Sequence, residues 1–172
     1  MWHLPGMVIV AKIKPMFRIC SIIIAFFILS SFSGDEIYSG KFIGKKISET
    51  PFGDYIKTDL PGTNVIILVS YGCSHCWDAT VTIDKLKKEK LIDSILILGN
   101  GTTEEKEEFK QNTATDYQTI DYDFQEMKTK IFAIDPDFPP PPCAILVTNN
   151  IITNVFIEMP TAKQFKKLKA KK

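Results

Sequence analysis

The most constraining feature of this sequence is a pair of cysteines that lies between a strand pattern and a helix pattern. Asn64 to Ser70 (NVIILVS) is a continuous apolar run rich in β-branched residues, which predicts a strand buried on both faces. Shortly after it, Cys73-Ser74-His75-Cys76 opens a stretch with apolar residues at helical spacing up to about Lys90. A second buried strand is predicted from Ser94 to Leu98. The order strand, helix, strand favours parallel strands joined by a right-handed crossover.

The rest of the domain contains signals for two helices, a β-hairpin and a closing helix. Capping boxes at Thr102–Glu105 and at Asp123–Glu126 mark two helix starts. Ala144–Thr148 and Ile151–Ile157 are strand patterns, and Asn149-Asn150 between them is typical of a tight hairpin turn. The sequence therefore predicts an α/β domain that ends in a hairpin and a lysine-rich helix.

The stretch between Gly34 and Gly62 has the weakest pattern. We expect edge strands at Lys41–Ile47 and at Tyr55–Lys57. From residue 34 onward the chain carries 18 lysines and 20 acidic residues, a nearly neutral balance. This composition argues against a nucleic-acid partner, because nucleic-acid binders usually present a basic stripe.

Residues 1–33 differ from the rest of the chain. They contain three basic residues and no acidic one, and Ile19–Phe32 is uncharged and mostly apolar. A membrane-spanning helix needs roughly 17–25 apolar residues, so this run is short. The pattern predicts a signal peptide, or an N-terminal membrane anchor if the segment is retained. In either case the remaining domain, residues 34–172, is expected to be exported.

The placement of the two cysteines favours thiol chemistry. Cys73 is predicted at a helix N-terminus, where free N–H groups and the helix dipole stabilise a thiolate. Cys76 is predicted one turn further on, near enough to close a small disulfide ring. A thiolate with a resolving thiol beside it is what disulfide exchange requires.

The strand, CxxC and helix, followed by a proline directly before a β-hairpin and a closing helix, resemble the thioredoxin fold. The pattern is most similar to exported TlpA/ResA-type thiol:disulfide oxidoreductases, and it covers roughly Asn64 to Leu168. This resemblance implies a thioredoxin-like α/β fold with a central mixed sheet flanked by helices and the CxxC at the N-terminus of the first main helix. It further implies that Pro142, or as a second choice Pro141, is cis, and that Pro142 shapes the substrate groove next to Cys143.

The resemblance also implies a function. Cys73 would be the nucleophile and Cys76 the resolving thiol of a CSHC motif that exchanges disulfides with protein substrates. No dissociable cofactor is needed, because the Cys73–Cys76 disulfide carries the electrons. A membrane-bound redox partner and a bacterial periplasm or cell envelope are the expected setting.

The sequence leaves the direction of exchange open. His75 is expected to lower the pKa of Cys73 and stabilise the reduced form, and DsbA, a strong oxidant, resembles this chain at that position. The buried acid that thioredoxins carry six residues before the first cysteine is Ile67 here, and their tryptophan before that cysteine is Gly72. Both His75 and Ile67 favour an oxidant or isomerase, whereas the TlpA/ResA resemblance implies a reductant. The possible substitutes for the acid, Asp78 and Asp84, also fit solvated helix residues.

Cys143 leaves an odd number of cysteines in the domain. It fits a small buried residue at a strand start. Alternatively, a third sulfur beside Cys73 and Cys76 would rearrange disulfides or complete a soft-metal site, with His75 as a further ligand. A copper-binding or copper-carrier protein that uses the same cysteines is therefore the alternative function.

Overall fold

The structure, a computed structural model, describes residues 37–157 and 159–170, so the predictions for residues 1–33 lie outside the described part of the chain. Strands β1 to β6 span Ile37–Tyr38, Thr63–Ser70, Ser94–Asn100, Gln118–Asp121, Cys143–Thr148 and Ile151–Phe156. Helices α1 to α4 span Ser74–Lys88, Thr103–Thr113, Phe124–Ile134 and Ala162–Ala170. None of the helices within these described ranges is long and apolar enough to cross a membrane.

The six strands form one mixed sheet in the order β1-β6-β5-β2-β3-β4. β2, β3 and β4 run parallel, as the crossover rule predicts, and β5 pairs antiparallel with β2. Leu68, near the end of β2, lies opposite Cys143 at the start of β5. This register brings the loop that follows β2 next to the loop that precedes β5. The CxxC and the four prolines at residues 139–142 therefore meet at the ends of these two central strands.

Most of the local predictions are confirmed. The Thr102 hydroxyl accepts a hydrogen bond from the Glu105 N–H at 3.2 Å, and the Glu105 carboxylate accepts one from the Thr102 N–H at 2.8 Å, which completes the capping box. Asn149 and Asn150 have φ values of 50° and 65°, the left-handed conformation that a two-residue hairpin turn needs. β4 was not predicted, because its four residues are half-buried or exposed and show no apolar alternation.

The two predicted edge strands near the N-terminus are wrong. Lys41–Ile47 forms turns with an isolated bridge from Lys46 to β6, and Tyr55–Lys57 follows two short 3₁₀ helices. The reason is aromatic packing. Phe42 and Phe52 are fully buried, and each lies within 6 Å of the Phe138 ring, at 5.4 Å and 5.8 Å between centroids. A compact loop buries these rings better than an extended strand would.

The sheet has a hydrophobic cluster on each face. Val65, Ile67 and Val69 of β2 pack into the cluster that contains the buried side chains of α1. Ile66 and Leu68 face the opposite cluster, which contains the buried side chains of α3 and the aromatic residues of the N-terminal loop. Side chains of a strand alternate between faces, so a strand covered on both sides is apolar throughout.

Candidate active site

Cys73 and Cys76 lie on the first turn of α1. Cys73 is the N-cap residue, with extended backbone angles, and its carbonyl accepts a hydrogen bond from the Cys76 N–H at 2.9 Å. The Cys73 N–H in turn donates to the Ser70 carbonyl at 3.1 Å, which ties the loop to the end of β2. The cysteine pair therefore stands where the sheet meets a helix N-terminus, as the sequence predicts.

Tyr71 anchors the loop that carries the pair. Its side chain is 1% exposed, and its hydroxyl donates to the Asp121 carboxylate at 2.7 Å. Lys106 binds the same carboxylate at 2.7 Å, and the Trp77 indole N–H donates to the Tyr71 carbonyl at 2.7 Å. Sequence reasoning did not select these residues. The one sequence signal that could have identified Tyr71 is its place as an aromatic residue directly before Gly72 and Cys73.

Glycine is required opposite the Tyr71 ring. A Cβ at Gly99 would lie 2.1 Å from that ring, and a Cβ at Gly72 would lie 2.5 Å from the Glu105 carboxylate. Gly72 stands at the position of the thioredoxin tryptophan. Because it has no side chain, it lets the Glu105 side chain approach the backbone next to Cys73.

The two thiols differ in environment. Cys73 is half-buried, whereas Cys76 is 1% exposed. Burial, followed by a hydrogen bond to Cys73, raises the pKa of Cys76 to about 12, although the Ser70 N–H donates to its sulfur at 3.4 Å. Cys76 is therefore protonated at neutral pH and shielded from solvent, while Cys73 is the thiol that a partner can reach.

No carboxylate within the described chain takes the place of the buried thioredoxin acid. Ile67 is fully buried in β2, and Asp78 is exposed on α1. Asp84 is engaged elsewhere, because its carboxylate binds Lys88 at 2.5 Å and accepts a hydrogen bond from the Tyr117 hydroxyl. The shift of the Cys76 pKa accordingly arises from burial and from Cys73.

The Pro141–Pro142 peptide bond is cis, as the resemblance predicts. Pro142 lines an open groove of about 360 Å³ together with His75, whose side chain is exposed. Ile157 and Met159, which follow β6, also line the groove. The structure thus brings His75 and Pro142 together beside the CxxC turn.

Cys143 follows the cis peptide bond, but its side chain turns away from the groove. It is fully buried and packs in the cluster on the α3 face, whereas Cys76 packs in the cluster on the α1 face. Burial, and then negative charge at Cys76, raises the pKa of Cys143 well above its usual range. Cys143 is thus a protonated thiol in the core of the sheet.

Metal binding by these residues has no geometric support. Within residues 37–157 and 159–170, no group of three or more His, Cys, Asp or Glu side chains is arranged to hold a metal ion. Cys143 lies across the sheet from Cys76, so the three sulfurs of the proposed soft-metal site are not gathered at one point.

Comparisons with known proteins support the fold. No protein-family model and no curated protein matches the sequence. The structure is similar to that of a thioredoxin-related protein from Neisseria meningitidis serogroup B, with a TM-score of 0.50 and 13% identity over 68% of this chain and 91% of that chain. It also resembles a DsbF homologue from Corynebacterium diphtheriae, with a TM-score of 0.48 and 18% identity over 70% of this chain and 75% of that chain.

The chain therefore has a thioredoxin-like fold, and the predicted fold class is confirmed. The mixed sheet, the CxxC at the start of α1 and the cis-proline before β5 are the features that the sequence predicts for this fold. At 13% identity the match shows the fold alone.

Proposed function

We propose that this protein is an exported thiol:disulfide oxidoreductase of the TlpA/ResA type, which exchanges disulfides with protein substrates through Cys73 and Cys76. The observation that carries the proposal is the asymmetry of the pair. A half-exposed sulfur lies at a helix N-terminus, and a buried, protonated sulfur lies one turn behind it. Disulfide exchange needs one thiol that partners can attack and one that reacts only intramolecularly.

The reaction proceeds through a mixed disulfide. In the reductive direction, the Cys73 thiolate attacks a partner disulfide, forms a Cys73–partner S–S bond and releases one partner thiolate. The Cys76 thiol then loses its proton and attacks the Cys73 sulfur, which releases the second partner thiolate and leaves the Cys73–Cys76 disulfide. Two electrons pass to the partner, and its two thiolates take up two protons. The oxidative direction is the same sequence reversed.

The groove supplies a place for the partner chain. Pro142 lies next to the cysteine turn, and Ile157, 38% exposed, offers an apolar surface opposite. His75 of the CSHC motif lines the same groove, so a partner chain that lies there runs beside the cysteine turn. His75, which lines the groove and stands between the two cysteines in the sequence, would tune the reduction potential of the pair.

Export and a membrane-bound redox partner complete the proposal. They rest on the basic and apolar pattern of residues 1–33, which is typical of a signal peptide or an N-terminal anchor. A disulfide exchanger outside the cytoplasm needs a partner that resets its pair after each turnover, and no dissociable cofactor takes part in the exchange itself.

Trapping of mixed disulfides tests the proposal. Cys76→Ser removes the resolving thiol, so partner proteins are expected to accumulate as covalent adducts of Cys73 that dithiothreitol releases. Cys73→Ser should trap none. Cys143→Ala is the matched control, because it removes a thiol that lies outside the pair and should leave exchange intact. Equal trapping by the Cys73→Ser and Cys76→Ser variants would refute the assignment of roles.

A further inference from the structure

One face of α1 lines the groove beside the cysteine pair. The residues of this face stand at the helical spacing i, i+3, i+4 and i+7, and they are His75, Asp78, Ala79 and Thr82. Prolines 140–142 and the apolar side chains of Ile157 and Met159 complete the lining. Among the residues that the structure describes, Asp78 is thus the only acidic side chain that lines the groove, and no lysine lines it.

The Asp78 carboxylate is not engaged by other side chains. It is exposed, and within residues 37–157 and 159–170 no ion pair or hydrogen bond reaches it. Asp84 and Glu126, by contrast, each pair with a lysine four positions further along their helices. Asp78 has no such lysine, because Val81 and Thr82 stand three and four positions after it. The carboxylate is therefore available to a partner that lies in the groove.

A side chain with an apolar stem and a cationic end suits this combination. Lysine and arginine pack their stems along apolar surface while the charged end stays in a polar environment. Ile157 is 38% exposed and Met159 is half-buried, so both offer apolar surface that such a stem can cover. The cationic end would then pair with Asp78. An acidic side chain in the same place would meet a like charge.

The spacing along α1 indicates where the cation stands in the partner. Cys73 and Asp78 are five residues apart, which corresponds to about 7.5 Å along a helix axis. An extended chain advances about 3.3 Å per residue, so it covers this length in about two residues. Side chains two residues apart in an extended chain point to the same side. A partner chain that follows α1 from Cys73 would therefore present to Asp78 the side chain two positions from its own cysteine.

We propose that the groove selects partner proteins that carry a lysine or an arginine two positions from the reacting cysteine, and that Asp78 pairs with this cation. This inference rests on the proposed function, and it names the class of substrate that the same site prefers. The apolar lining accounts for the stem of the side chain, and the unpaired carboxylate accounts for its charge.

Short peptides with a single cysteine test the inference. The cysteine of each peptide is held in a mixed disulfide with thionitrobenzoate, and the peptide carries lysine, acetyl-lysine or glutamate two positions before or after it. The reduced full chain cleaves this disulfide. Cys73 and Cys76 are oxidised to their disulfide, and the peptide thiol and the coloured thionitrobenzoate are released. Each rate is divided by the rate of the same peptide with dithiothreitol, which removes differences in intrinsic reactivity.

The relative rates should follow the charge of the peptide. At one of the two positions we expect lysine to exceed acetyl-lysine by about threefold to fivefold, near the upper end of what an exposed ion pair contributes. Glutamate should fall below acetyl-lysine. In about 1 M salt, where the screening length is about 3 Å, these differences should nearly disappear.

Charge variants isolate the role of Asp78. Asp78→Asn should bring the lysine peptide to the relative rate of the acetyl-lysine peptide, and Asp78→Lys should make the glutamate peptide the fastest. Asp116→Asn is the matched control, because it makes the same change in net charge at an exposed residue that lines a different cavity, with Lys106 and Lys110. This control should keep the preference for lysine.

The outcomes separate the inference from the function on which it rests. If the protein cleaves all three peptides at one relative rate, the groove does not select charge and the inference is wrong, while the proposed function stands. If the preference for lysine survives in Asp78→Asn, or falls equally in Asp116→Asn, the assignment to Asp78 is wrong. If thionitrobenzoate is released without formation of the Cys73–Cys76 disulfide, the proposed function fails, and the inference fails with it.

Discussion

Cys76 should resist alkylation in the folded protein far more than it does in the unfolded chain. Burial and Cys73 raise its pKa from 9.0 to about 12, which lowers its thiolate fraction at neutral pH by about a thousandfold. A thiolate of higher pKa is intrinsically more nucleophilic, and a Brønsted slope of about 0.4–0.5 recovers roughly 20-fold. The net effect is that Cys76 reacts about 50-fold more slowly. Its 1% exposure should slow the reaction further.

Brief labelling of the reduced protein with iodoacetamide, followed by peptide mass spectrometry, measures this effect. Cys73 should be labelled first, and Cys76 should approach the rate of an ordinary thiol only in denaturant. Labelling of Cys76 should rise about tenfold per pH unit from pH 7 to pH 10, because its folded-state pKa lies above that range. A folded-to-unfolded rate ratio for Cys76 within fivefold would refute the asymmetry that supports the proposed mechanism.

Three further predictions follow from other parts of the structure. His75→Ala should make the reduction potential of the pair more negative by on the order of 10–30 mV in a glutathione titration; an unchanged potential would remove its tuning role. Gly99→Ala should lower the free energy of unfolding by about 1–3 kcal/mol in urea, because its Cβ would meet the buried Tyr71 ring at 2.1 Å; wild-type stability would contradict this packing. Burial alone would raise the pKa of Asp135, but hydrogen bonds from the Tyr38 hydroxyl and two backbone amides hold it below its usual value. Its carboxylate therefore stabilises the fold above about pH 4, and this stabilisation is lost progressively as the pH falls through the lowered folded-state pKa. Asp135→Asn should be less stable than wild type at pH 7, and the difference should shrink as the pH falls below about 4; the same difference at pH 7 and at pH 3 would refute this.

The central βαβ unit was predictable because its signals are local. An apolar strand, a helix with one buried face and a second apolar strand permit few arrangements, and the crossover rule selects one of them. The hairpin was predictable for the same reason, since Asn149-Asn150 suits a tight turn. β4 was not predictable, because its conformation depends on pairing with β3. The N-terminal loop was not predictable either, because its conformation depends on the packing of Phe42 and Phe52 around Phe138.

Some residues of the candidate site could likewise be predicted from the sequence, and others could not. Cys73, Cys76 and Pro142 were found because their motif and order indicate a fold. The hydrogen-bond network of Tyr71, Asp121 and Lys106 joins residues that lie 15 to 50 positions apart in the sequence. No local sequence pattern indicates such a network. The side-chain direction of Cys143 follows from the register of β5, which the sequence pattern alone does not fix.

A redox titration of the full, metal-free chain tests the central claim most directly. The protein is equilibrated with dithiothreitol or glutathione buffers, and the disulfide is mapped by mass spectrometry. We expect one reversible two-electron couple that links Cys73 and Cys76 and leaves Cys143 reduced. A potential near about −270 mV would mark a reductant, and one between about −120 and −200 mV an oxidant or isomerase. If no reversible couple forms between Cys73 and Cys76, the protein is not a disulfide exchanger.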